Sequence, residues 1–207
     1  MASDDNRVVV LRATECRRLL QQEALMEQVC DTLDQKKLDE LMEESHEEIT
    51  GRLVRVQKTV PAGTRTLHLI PGLPGSGKTT LAHRMLGEDQ DLVRINRDDL
   101  RRMLLGARPW NAALEVMVRR CQETAVVAAV ASGRDVVCDD TLLTELARWR
   151  LLGLAEDHGL RVVVHPECLR VPVETCIERD AARESPVGRD VILGMAPMVG
   201  FLWGDLL

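Results

Sequence analysis

The stretch HLIPGLPGSGKTTLA, from His68 to Ala82, constrains the fold more than any other part of the sequence. Within it, residues 72–79 match the pattern G-x-x-x-x-G-K-[ST] without a mismatch. The apolar run TLHLI at 66–70 predicts a strand before the glycines, and the residues from Lys78 to about Leu86 predict a helix after them. A strand, a glycine-rich loop and a helix in this order are typical of an α/β domain with a parallel sheet.

The glycine-rich loop indicates a site for phosphate groups. Glycines adopt backbone angles that other residues resist, so successive N–H groups can point at phosphate oxygens. The N-terminus of the following helix attracts the same negative charge. Lys78 is one of only four lysines among 27 basic residues, and a compact ammonium suits the β- and γ-phosphates held by such a loop. We therefore expect the loop to bind ATP, with Mg²⁺ on the Thr79 hydroxyl, through Gly72, Pro74, Gly75, Ser76, Gly77, Lys78, Thr79 and Thr80.

The chain divides at the turn-rich segment PAGTR, residues 61–65. Residues 61–207 alternate apolar, β-branched runs with helical patterns, which predicts a P-loop NTPase fold: a doubly wound, mostly parallel sheet with helices on both faces. Residues 1–60 predict a helical extension, mainly over 13–57. The extension either packs on the main domain or serves self-association or the binding of a partner protein. The predicted strands are 66–70, 91–96, 135–139 and 161–165, and the later predicted helices are 98–105, 111–131, 143–157, 172–183 and 188–203.

Composition and charge exclude several classes of protein. We expect no membrane segment, because no run approaches the ~20 apolar residues that a membrane helix needs, and the acidic start does not resemble a signal peptide. Six scattered cysteines without metal-binding spacing favour reduced thiols in a cytoplasmic protein. A net charge of −6 argues against a broad basic surface, so a nucleic-acid site has to be a local arginine cluster.

Two further segments contain candidate catalytic residues. In VRINRDDLRRM, residues 93–103, Asp98 follows the second predicted strand, at the edge where open α/β sheets bind ligands. A carboxylate there can accept the proton of an attacking hydroxyl, and Arg101, one helical turn later, can hold an anion beside it. In CIERDAARESPVGRDVI, residues 176–192, Arg179 and Arg183 share one predicted helical face before a Ser-Pro-Val-Gly loop, which suits a lid over ATP. The alternatives are a helix cap at Asp98 and a solvated helix at the arginines.

Four motifs occur together, in this order: PGSGK[ST], INRDDxR, Asp-Thr after the third strand, and R-x-x-x-R. The set resembles the kinase domain of phage-type 5′-hydroxyl polynucleotide kinases and, less closely, bacterial RNA-repair end-healing kinases, over about residues 67–203. The resemblance implies that Lys78 and Thr79 bind the triphosphate and Mg²⁺, that Asp98 is the general base, and that Arg183, with Arg179, reaches the donor phosphates. It also implies that Arg97, Arg101 and Thr141 bind the acceptor, and that Asp140 lies near the metal or the acceptor.

The resemblance implies ATP-dependent phosphorylation of the 5′-hydroxyl end of RNA or DNA. One departure is Leu142, which stands where the family has Asn. Aromatic residues are few, three Trp, one Phe and no Tyr, so base stacking is limited and Trp110 is the one candidate platform. Two other functions stay open. One is a kinase of a small hydroxyl compound, such as a nucleoside, a sugar, an antibiotic or a zeta-toxin-like substrate. The other is a nucleotide-binding regulatory module without catalysis.

Overall fold

Four short, apolar strands form the centre of the fold in the computed structural model, which describes residues 64–106 and 112–204. The strands are β1 (Thr66–Leu69), β2 (Leu92–Arg94), β3 (Asp135–Cys138) and β4 (Arg161–Val164). They pair in the order β2-β3-β1-β4, and every pair is parallel. Because parallel neighbours need a crossover connection, each strand is followed by a helix before the next one begins.

Six α-helices connect or follow these strands in the described part of the chain. They are α1 (Lys78–Glu88), α2 (Arg97–Leu105), α3 (Ala112–Ala131), α4 (Glu145–Asp157), α5 (Val173–Ala181) and α6 (Arg189–Trp203). A short 3-10 helix, Pro166–Arg170, lies between β4 and α5 and was not predicted. Side-chain caps explain two of the starts: Asn96 accepts from the Asp98 and Asp99 amides before α2, and Thr144 accepts from the Ala147 amide before α4.

Helices cover the sheet on both faces, because successive strand residues point to opposite sides. In β3, Val136 and Cys138 belong to one apolar cluster and Val137 belongs to another. The first cluster includes Val126 of α3, Trp149 of α4 and Ile192 of α6, whereas the second includes Ala82 of α1. The predicted α/β fold, a parallel sheet between two helical layers, is confirmed.

Some sequence-based expectations fall outside the described residues. Three of them are the helical extension predicted for residues 1–60, the base-stacking platform expected at Trp110 and most of the PAGTR boundary. Four cysteines of the described ranges, Cys121, Cys138, Cys168 and Cys176, are free thiols. Within the same ranges, no helix is both long enough and apolar enough to cross a membrane.

Candidate functional site

The glycine-rich loop, residues 72–77, leaves the carboxyl end of β1 and is fixed by its neighbours. The Gly72 amide donates to the Thr141 carbonyl at 3.0 Å, which ties the loop to the end of β3. Gly75 and Gly77 have φ values of 82° and 93°, in the left-handed region that favours glycine. A Cβ atom on Gly75 would lie 2.1 Å from the Cys176 carbonyl oxygen, so α5 packs directly against the loop. The result is a backbone cradle at the start of α1 that fits a chain of phosphates.

Lys78 lies in this cradle and is almost fully buried. Its Nζ donates to the carbonyl oxygens of Gly72, at 2.9 Å, and Leu73, at 2.7 Å. Burial lowers the pKa of Lys78 to about 8, and the positive charge of Arg183 acts in the same direction. The ammonium therefore holds the loop in shape and is in position for a phosphate to replace the two carbonyls.

The remaining predicted nucleotide contacts surround Lys78. Pro74 and Ser76 are buried in the loop, and Thr79 and Thr80 are exposed in the first turn of α1. The Thr79 hydroxyl donates to Asp139 Oδ2 at 2.9 Å. This hydroxyl and carboxylate are the oxygen ligands that Mg²⁺ accepts, together with phosphate oxygens and water. The residues present therefore fit a magnesium ion beside the phosphates.

Asp139 is one residue of the site that sequence reasoning missed. Its side chain is fully buried after β3, and it accepts from Arg94 Nε at 2.9 Å, from Arg94 Nη2 at 2.9 Å and from Asn96 Nδ2 at 3.1 Å. These partners lie on β2 and in the turn after it, so Asp139 joins the ends of two strands to Thr79 of α1. The sequence did contain a signal for Asp139, namely a carboxylate directly after the apolar run Val136–Cys138.

Asp98 lies in the first turn of α2, at the carboxyl edge of the sheet. Its side chain is 76% exposed and forms an ion pair with Arg101. Arg101 is turned toward α3 as well, where its Nε donates to Glu115 Oε2 at 2.7 Å. Burial raises the pKa of Glu115, but the hydrogen bond from Arg101 and the charge of Arg97 outweigh it, so the net pKa is lowered. Glu115, which the sequence did not indicate, thus holds the Arg101 guanidinium on the α3 side, while Asp98 faces solvent.

Asp140 and Thr141 occupy the turn after β3. The Asp140 carboxylate is buried. Its Oδ1 accepts from the Arg97 amide at 3.0 Å and lies 3.4 Å from Arg97 Nε, and its Oδ2 accepts from Gln122. The Thr141 carbonyl accepts from Gly72, as described above. The structure therefore places Arg97, Asp140 and Thr141 where they hold α2 and the glycine-rich loop onto the sheet. Their contact with an acceptor stays a prediction.

Arg179 and Arg183 both lie on the α5 side of the cradle, but not on one helix. We expected a helix over 172–183, whereas α5 ends at Ala181 and Arg183 lies in the following loop. Arg183 Nη1 is 3.4 Å from Asp180 Oδ1, whose other oxygen accepts from the Gly188 amide at 3.0 Å. Arg179 Nη1 lies 4.0 Å from the position of a Cβ atom on Gly77. Arg179 thus borders the loop, and buried Asp180 anchors Arg183.

Charged groups from three segments of the chain act on Lys78 in the cradle. The pKa of Lys78 is affected by the charges of Arg183, Asp139 and Asp98, in addition to its burial. These groups come from the loop after α5, the end of β3 and the start of α2, three segments that are distant in sequence. They bring the backbone cradle, the hydrogen-bonded pair of Thr79 and Asp139, and an exposed carboxylate to one edge of the sheet.

The fold and this loop define a P-loop domain with a nucleotide site. The chain belongs to the AAA domain family, whose model matches residues 67–196. No curated protein gave a significant match.

Solved structures are similar to this chain over part of its length. A chain in the Pnkp1/Rnl/Hen1 RNA repair complex superposes with a TM-score of 0.58 at 22% identity, over 72% of this chain and 49% of that chain. A second structure of the Pnkp1/Rnl/Hen1 complex gives 0.51 at 25% identity, over 59% and 41%. A tunicamycin resistance protein of Deinococcus radiodurans gives 0.48 at 16% identity, over 65% and 80%. The aligned region thus spans about half of the RNA repair chain, or less.

Proposed function

We propose that the protein transfers the γ-phosphoryl group of ATP to the 5′-hydroxyl end of a polynucleotide. One observation carries the proposal: Asp98, exposed and paired with Arg101, lies in the first turn of α2 at the carboxyl edge of the sheet, the same edge at which the glycine-rich loop leaves β1. This pairs a proton acceptor with a phosphate cradle, which is the arrangement that in-line phosphoryl transfer needs.

Each residue has a defined part in the proposed reaction. The loop amides and Lys78 hold the β- and γ-phosphates, and Thr79 with Asp139 would hold Mg²⁺, which supplies charge neutralisation when bound. The exposed Asp98 carboxylate accepts the proton of the 5′-hydroxyl as its oxygen forms a bond to the γ-phosphorus. The bond from that phosphorus to the β,γ-bridging oxygen breaks, and ADP leaves. Arg183 and Arg179 approach from the α5 side and stabilise the charge that develops on the transferring group.

Two features support a polynucleotide as the acceptor. The chain resembles a chain of the Pnkp1/Rnl/Hen1 complex, which is described as an RNA repair complex. The carboxyl edge of the sheet around Asp98, which we call the acceptor edge, also offers two arginines, Arg97 and Arg101. Trp149 and Trp203, in contrast, are buried in the core. Recognition through phosphates rather than through stacked bases fits both features.

The test of the proposed base is Asp98→Asn, with Asp91→Asn as a matched control. Asp91 is also exposed, at 73%, and paired with an arginine, Arg134, but it lies before β2, at the opposite end of that strand. We expect Asp98→Asn to lower kcat for a 5′-hydroxyl oligonucleotide by at least about 100-fold, the usual contribution of a general base. ATP affinity, measured by calorimetry, should change little, and Asp91→Asn should keep full activity. Full activity in Asp98→Asn would show that another group is the base.

The acceptor class is tested on the native protein with ATP, Mg²⁺ and a panel of 5′-hydroxyl RNA, 5′-hydroxyl DNA and free nucleosides. Transfer of labelled γ-phosphate to the oligonucleotides is the expected result. Transfer to small compounds alone would replace the proposal with a small-molecule kinase. Binding of ATP without transfer to any acceptor would leave a regulatory nucleotide-binding module.

A further inference from the structure

The carboxylate of Asp139, which would help to hold Mg²⁺ in the proposed reaction, has all of its acceptor positions in use. Its Oδ1 accepts from Arg94 Nε at 2.9 Å and from Asn96 Nδ2 at 3.1 Å. Its Oδ2 accepts from Arg94 Nη2 and from the Thr79 hydroxyl, both at 2.9 Å. A carboxylate offers about four lone-pair positions in all, and the Asp139 side chain is fully buried. A metal ion would have to displace one of these donors in order to bind this carboxylate directly.

Arg94 is the charged donor of the set and bonds to both carboxylate oxygens, whereas Thr79 and Asn96 are neutral. Its guanidinium lies side-on to Asp139, an arrangement that is stronger than a single hydrogen bond. The third nitrogen, Nη1, is bonded to Asp99. The Arg94 side chain is only 13% exposed, so solvent and salt screen its charge poorly. Arg94 therefore neutralises Asp139 in the nucleotide-free protein.

The other carboxylates of the described residues do not replace Asp139 as a metal ligand. Within residues 64–106 and 112–204, no group of three or more His, Cys, Asp or Glu side chains is arranged to hold a metal ion. The neighbouring Asp140 is already bonded to Arg97 and Gln122. Mg²⁺ gives up its water reluctantly and is usually bound by one or two carboxylates together with substrate phosphates. The phosphates of ATP would supply the negative charge that this site lacks without them.

We propose that Arg94 excludes divalent ions from Asp139 until a nucleotide is bound. Its guanidinium takes the place beside the carboxylate that a divalent ion would otherwise take, so the ion enters together with the phosphates of ATP and not before them. The inference rests on the proposed function, since it concerns the same site for ATP and Mg²⁺. It does not depend on which acceptor receives the phosphoryl group.

The first test measures the binding of Mn²⁺ to the nucleotide-free protein by electron paramagnetic resonance, which detects the ion free in solution. Mn²⁺ takes the same oxygen ligands as Mg²⁺. Arg94→Gln removes the charge and keeps an amide N–H donor. We expect it to bind Mn²⁺ at least about tenfold more tightly than the native protein, because a positive charge beside the ion is lost. Equal affinities in Arg94→Gln and in the native protein overturn the proposal.

Two further variants show whether the gain belongs to this site. Arg134→Gln removes the charge of an exposed arginine paired with Asp91 and should bind Mn²⁺ as the native protein does. The double variant Arg94→Gln/Asp139→Asn lacks the carboxylate as well, so the gain in affinity should disappear, because both changes act on one interaction. A gain that persists in the double variant overturns the proposal, since the ion is then bound elsewhere.

A second measurement needs no variant. The native protein is titrated with Mn²⁺ alone and again with ATP present, without any acceptor. We expect no saturation up to about 1 mM Mn²⁺ without ATP, and protein-bound Mn²⁺ once ATP is added. Saturable binding below that concentration without ATP overturns the role of Arg94 and leaves the proposed function intact. Binding of Mn²⁺ only with ATP, but with no transfer to any 5′-hydroxyl strand, overturns the proposed function and supports the role of Arg94.

Discussion

Lys78 shows how a single buried charge sets a pH dependence. In the free protein, burial lowers its pKa to about 8. A bound triphosphate surrounds the ammonium with negative charge, which raises the pKa again. Above pH 8 the free protein has lost a proton that the complex retains, so binding takes up a proton and the affinity for ATP falls as the pH rises. Below about pH 7 both forms are protonated and this dependence disappears.

Calorimetry of ATP binding at pH 8.5, in two buffers of different ionisation enthalpy, measures this proton uptake directly. We expect a fraction of a proton per ATP at pH 8.5 and a weaker affinity at pH 9 than at pH 7.5. Equal affinities at the two pH values, with no proton taken up at pH 8.5, would contradict the lowered pKa of Lys78.

At the residue scale, the sequence predicted the cradle but not the details of the turn after β3. The pattern in residues 72–79 is continuous and includes its own glycines, so Lys78 and Thr79 could be assigned directly. After β3 two aspartates are adjacent, and successive residues point in opposite directions. Sequence reasoning favoured Asp140, whereas the structure places Asp139 on Thr79 and turns Asp140 toward Arg97. Which of the two aspartates faces the site depends on the residue at which the strand ends, and the periodicity of the sequence does not give that position.

At the element scale, the pair of Arg94 and Asp139 joins β2 to β3 and, through Thr79, to α1. Burial lowers the pKa of Arg94, but its bonds to Asp139 and Asp99 raise it by more, so the guanidinium stays charged. Removing one partner leaves the other buried and uncompensated. We expect Arg94→Met to lower the free energy of unfolding by about 3 kcal/mol. Arg134→Met, which breaks an exposed pair, should cost no more than about 0.5 kcal/mol.

Urea denaturation of both variants and of the native protein checks this expectation through the midpoint and the slope. Equal midpoints for Arg94→Met and Arg134→Met would show that the buried pair adds nothing to stability. A changed slope of unfolding free energy against urea concentration would mean that the variant alters the compactness of the denatured or native state, and not only the ion pair.

Periodicity identified the elements well and their ends less well. The four strands and the six helices of the described ranges lie within a few residues of the predicted segments, since both patterns depend on local spacing. The 3-10 helix at 166–170 has only five residues, too few to show a period. The end of α5 at Ala181 was also missed. It coincides with the tertiary contacts of Asp180 to Gly188 and Arg183, and no local spacing reports such contacts.

At the scale of the whole molecule, charge limits how a nucleic acid can bind. The net charge is −6, so the protein as a whole repels a polyanion. Attraction has to come from local arginines at the carboxyl edge of the sheet, such as Arg97 and Arg101, which together account for about two phosphates. Proteins with broad basic surfaces neutralise many more phosphates and release a counterion for each. The number of contacts is therefore visible in the salt dependence.

We expect the KM for a 5′-hydroxyl strand to rise with salt concentration with a slope of about 1.4 on a double logarithmic plot, about 0.7 for each of two phosphates on a single strand. Steady-state kinetics between 50 and 200 mM salt at saturating ATP measure this slope. Arg101→Gln should reduce it to about 0.7, because one of the two contacts is lost. Arg134→Gln serves as the control and should keep the native slope. A slope above about 4 would mean that most of the attraction comes from a basic surface elsewhere, and the recognition of two phosphates at the acceptor edge would then be wrong.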